Sequence, residues 1–151
     1  MAEVPAASAG GFALFFEGSG AFNVECFGPK HLGDSSHASE LAMGVWASKS
    51  ILAFRMVLRE LRLGPDGPTE LEMDAKAVTD GVSMERVARR QRYQSARLAM
   101  FRQWIADGAI CLKKVPTGDM RSDILSKPVA PVGQFLRLAS LLLTGKFPRK
   151  E

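Results

Sequence analysis

TELEM at Thr69–Met73 and LAMFRQWIADGAICLKKV at Leu98–Val115 decide the fold class. The first stretch alternates toward a strand and runs straight into Asp74. In the second, Leu98, Phe101 and Ile105 recur at helical spacing, and Gly108 is a residue that leaves a helix through a left-handed backbone at no steric cost. Ala109–Val115 (AICLKKV) then reads as a strand. The pattern predicts a helix, or a loop and helix, from Met84 to Asp107, with a further short helix over Ala75–Val82. Strand, helices, strand is the order of a sheet covered by helices.

Upstream of this block, Ala47, Ile51, Phe54, Leu58 and Leu61 stand at spacings of four and three, the stripe of a long amphipathic helix. Asp34, Ser35 and Ser36 are candidate N-caps, and Gly64-Pro65 is its expected stop. Further upstream, GFALFF (Gly11–Phe16) and AFNVECF (Ala21–Phe27) flank Gly18-Ser19-Gly20 and read as a hairpin, with room for a third strand from Lys30. Downstream, Thr117-Gly118-Asp119 opens a short helix through Lys127. Pro128 and Pro131 separate it from a last helix with Phe135, Leu138, Ala139 and Leu142 on one side.

The expected fold class is therefore α/β, a hairpin meander followed by alternating strands and helices that make one mixed sheet with flanking helices. Residues 1–9 are expected to form a loose tail, 10–127 the domain, and 128–151 a C-terminal helix and tail. A mixed sheet ordinarily has a buried central strand of continuous apolar residues, and only two or three of the runs here could take that place.

Composition narrows the function classes. The 151 residues, 46% hydrophobic and 24% charged, suit one soluble globular core. The longest apolar stretch near the C-terminus, Leu136–Leu143, is broken by Arg137 and Ser140, so no membrane partner is expected. No Lys or Arg precedes Lys30, which argues against a secretory signal and for an intracellular place, cytoplasmic or nuclear. Cys26 and Cys111 lie far apart without nearby Cys or His partners and are expected to be buried reduced thiols. His31 and His37 lack ligand spacing and are expected at the surface.

The net charge is +4. Between Glu85 and Asp107 stand Arg86, Arg89, Arg90, Arg92, Arg97 and Arg102 with no acid among them. A solvated helix face ordinarily interleaves Glu with Arg, so this run fits phosphate contact as well as a plain basic surface.

Three acids occupy positions that metal chemistry uses. Glu40 falls in the first turn expected for the long helix, Asp74 at a strand's C-terminal end, and Asp123 in the short helix after the final strand. Carboxylates on different elements that converge at a sheet edge can hold magnesium for in-line attack on a phosphodiester, although caps and solvated surface acids occupy the same positions.

The local strings bear on that choice. SSHASELAM (Ser35–Met43) resembles the SSTEAEYMA segment of ribonuclease H-like domains in copia-type LTR retrotransposon polyproteins. The flanks continue in the same order: LRELRLGP closing a helix, then PTELEMDAKAV where the family has a strand ending in Asp-Asn. RRQRYQSARLAMFRQWIADGAICLKKVPTGDMRSDILSKPV is similar to the family's run from Lys-His-Ile to Ala-Asp-Ile-Leu-Thr-Lys, and GGFALFFEGSGAFNVECFGPK to its Ser-Gly-Tyr-Val-Phe hairpin. The resemblance spans about residues 10 to 145.

It implies a ribonuclease H-like mixed sheet in which Glu40, Asp74 and Asp123 are the catalytic and magnesium-binding carboxylates and Lys127 is the lysine of the Leu-Thr-Lys signature. The implied partner is an RNA–DNA hybrid, cut in its RNA strand by two-metal hydrolysis. Arg89, Arg90, Arg92, Arg97 and Lys127 are the candidate nucleic-acid contacts. The departures matter. The family's first catalytic Asp lies on a central strand ahead of the hairpin, where this chain has MAEVPAASA with Glu3 as its sole acid. Ala75 replaces the Asn after the strand-end Asp, Ala38 a Glu, and Tyr93 the His of Lys-His-Ile. The resemblance thus implies a truncated, degenerate relative with weak magnesium binding. Alternatives are an intact enzyme whose first carboxylate comes from Glu3 or from sequence outside this chain, and a non-catalytic nucleic-acid or protein-binding module using segment 86–102.

Overall fold

The computed structural model describes residues 10–28, 36–73 and 95–146, with side chains from residue 40 onward in the second of these segments. Expectations that fall elsewhere lie outside the described residues: the third strand from Lys30, the short helix over Ala75–Val82, the part of the Met84–Asp107 helix before Ser95, and the loose tail 1–9. The described chain is mixed α/β and divides into two compact units, residues 1–39 with 121–151, and residues 40–120.

In the first unit, β1 (Gly10–Phe15) and β2 (Ala21–Phe27) form the expected antiparallel hairpin. The turn closes as predicted. Gly18 has φ +70°, and Ser19 donates its amide and its hydroxyl to the Phe16 carbonyl. Phe12 and Leu14 are buried, and Phe12 stacks on Phe27 with ring centroids 5.8 Å apart. β2 presents Phe22, Val24 and Cys26 outward, so Cys26 is exposed rather than the buried thiol expected, and Cys111 is half-buried. Alternation decides this: Cys26 shares a face with Val24, while Glu25 lies opposite the buried Phe12.

Where a short helix through Lys127 was expected there are two 3₁₀ turns, Thr117–Asp119 and Arg121–Leu125. The second belongs to the first unit and lies on β1, where a Cβ on Gly11 would come 2.7 Å from Leu125 Cβ. The last helix of the chain, Val132–Thr144, buries Leu138, Leu141 and Leu142. The expected face is therefore displaced. Phe135 is exposed, and Leu141 takes its place because the buried positions centre on the second half of the helix. Gly145, with φ +68°, caps it by donating its amide to the Leu141 carbonyl.

In the second unit, α1 (Ser36–Glu60) lies against a parallel pair, β3 (Thr69–Met73) and β4 (Ile110–Lys114), joined through α2 (Ser95–Ala106); the helix over Val132–Thr144 is α3. TELEM is the strand predicted, with Leu71 and Met73 buried. α2 ends as predicted at Gly108. The Gly108 amide donates to Ile105 O and the Ala109 amide to Trp104 O, a Schellman closure made possible by φ +65°. Leu98 and Phe101 are fully buried, whereas Ile105 is at the rim.

The 25-residue α1 exists as expected but turns a different face inward. Leu41, Ala42, Val45, Ala47, Ser48, Ile51 and Arg55 are buried, while Phe54 and Leu61 are exposed. Val45, Ser48, Ile51 and Arg55 recur at spacings of three and four, and Arg55 Nη1 donates to Gly67 O at 2.8 Å and Thr69 Oγ1 at 2.9 Å at the end of that stripe, with Phe54, one residue round the helix, outside it. The helix also stops before Gly64-Pro65. Arg62 takes φ +59°, donating to Arg59 O, and Leu63 donates to Leu58 O. Residues 40–60 have the length and apolar composition of a membrane-crossing helix, as a core helix of a folded domain also has, and 44% of their most apolar 18-residue window is buried.

The mixed α/β class expected from the sequence is observed, and among the described residues its strands form two two-stranded sheets, β1-β2 and β3-β4. Backbone pairing is the reason: the strand order read from the sequence supplies a hairpin partner for β1 and a parallel partner for β3, and no described strand joins the pairs.

Candidate functional site

Asp123 is the best defined of the expected site residues. It sits in the 3₁₀ turn Arg121–Leu125. Its carbonyl accepts the amides of Ser126 at 3.1 Å and Lys127 at 3.0 Å, so the backbone curls back and brings residue 127 one turn above residue 123. Lys127 Nζ then lies 2.8 Å from Asp123 Oδ2, with the Asp side chain 14% exposed and the Lys side chain 50% exposed. In the same turn the Arg121 guanidinium carbon stands 3.8 Å from the centroid of Phe15, a cation–π contact that ties the turn to β1.

The other expected acids are placed differently. Glu40 is exposed and stands just past the first turn of α1, which begins at Ser36, among the expected N-caps. It belongs to the second unit and Asp123 to the first. Asp74 lies outside the described residues, directly after the end of β3. Among the described residues, no group of three or more His, Cys, Asp or Glu side chains could hold a metal ion.

Of the expected nucleic-acid contacts, Arg89, Arg90 and Arg92 lie outside the described residues, as does Arg86. Arg97 is exposed in the first turn of α2, and Arg102 is half-buried. Asp107, just past the end of this helix, accepts a hydrogen bond from Gln103 Nε2 at 2.8 Å. Lys127, expected to face phosphate, has its ammonium against Asp123.

Two features were not anticipated from the sequence. The Asp123–Lys127 pair was legible in the i,i+4 spacing within the short helix expected through Lys127. The Arg55 clasp on Gly67 and Thr69 had no such signal, since an arginine among apolar helix residues reads as a solvated position. On the surface of the parallel pair, Lys113 Nζ lies 2.7 Å from Glu70 and 3.8 Å from Glu72, an exposed cluster that contributes little to stability.

No family model, curated protein or solved structure matches this chain.

Proposed function

We propose that this chain is a degenerate ribonuclease H-like domain related to those of copia-type retrotransposon polyproteins, with hydrolysis of RNA–DNA hybrids absent or residual. The observation that carries the reading is the order and pairing of the elements: an antiparallel hairpin, a long helix, a strand, a helix and a parallel strand, with the two strand pairs not joined among the described residues.

The chemistry of the acids supports loss of activity. Asp123, expected to ligate magnesium, has the Lys127 ammonium 2.8 Å from its Oδ2, and that positive charge opposes a divalent cation at the same carboxylate. Ala38, Ala75 and Tyr93 stand where the family carries Glu, Asn and His. The exposed Arg97 favours a second reading, a non-catalytic module that binds nucleic acid weakly through segment 86–102.

The test supplies what the reading says is missing. A segment with an Asp-containing strand is fused upstream of Ala9, alongside the same fusion with that Asp changed to Asn, and both are assayed for hybrid cleavage in magnesium. Cleavage by the Asp fusion alone supports the reading. Robust magnesium-dependent cleavage by the unmodified chain overturns the degenerate assignment, and failure of both folded fusions leaves the binding module as the reading to pursue.

A further inference from the structure

We draw no further inference here: the strongest candidate, the edge of β1 that is not paired with β2, is an unpartnered strand edge among the described residues, and nothing in the structure shows what covers it.

Discussion

Lys127 Nζ and Asp123 Oδ2 are 2.8 Å apart across one turn of chain, which makes an expected metal ligand and an expected phosphate contact each other's partner. The Asp side chain is mostly buried and the Lys side chain half exposed, so the pair is screened on one side only. In a double-mutant cycle of Asp123→Asn and Lys127→Met, the coupling is expected at about 0.5–1 kcal/mol, falling in high salt. Chemical denaturation at low and high ionic strength measures it. Lys127→Met should also leave hybrid affinity unchanged, because that ammonium is engaged elsewhere; a clear drop in affinity would return Lys127 to the binding surface.

Arg55 holds the loop after α1 to the start of β3. Arg55→Met removes both donors to Gly67 O and Thr69 Oγ1 and should destabilise the chain by about 2–3 kcal/mol, the range for hydrogen bonds made by a charged group. Hydrogen exchange should show the Thr69 amide, which donates to Ala109 O at 3.0 Å, losing protection first. Equal stability of the variant and the parent would mean that the clasp contributes nothing net.

Gly44 is where α1 crosses Phe101. A Cβ there would stand 2.5 Å from Phe101 Cζ and 3.1 Å from Met73 Cε, so Gly44→Ala should cost about 1–3 kcal/mol by overpacking. Phe101→Leu in the same chain removes the clashing ring edge. The two substitutions together should therefore cost less than the sum of each alone, which urea titration of the four chains will decide.

Binding to nucleic acid, if segment 86–102 carries it, is electrostatic and steeply dependent on salt. Each arginine withdrawn from a phosphate should flatten the slope of log K against log salt by ~0.9 on duplex. Replacing Arg89, Arg90 and Arg92 by Ala tests this by fluorescence anisotropy with a labelled RNA–DNA hybrid. An unchanged slope would assign the arginines to a solvated surface.

What the sequence by itself determined about this protein is local. The hairpin turn at Gly18-Ser19-Gly20, the TELEM strand and the closure of α2 at Gly108 all follow from bonds between residues a few positions apart, and backbone geometry leaves such segments few choices. Even at this level the end of α1 moved, since Arg62 accepted a left-handed backbone that Gly64 was expected to supply. Only the tertiary structure decided which face of α1 is buried. Apolar spacing favoured Phe54, but the buried stripe ends in Arg55, whose two hydrogen bonds reach Gly67 and Thr69, twelve and fourteen residues on. It also decided that the strands form two pairs, because a sheet is assembled from backbone partners distant in sequence, and periodicity within a strand carries no information about which partner is present. The acids divide the same way: the i,i+4 spacing of Asp123 and Lys127 already places their charges within reach of each other, while only the fold decides that Glu40 and Asp123 belong to different units.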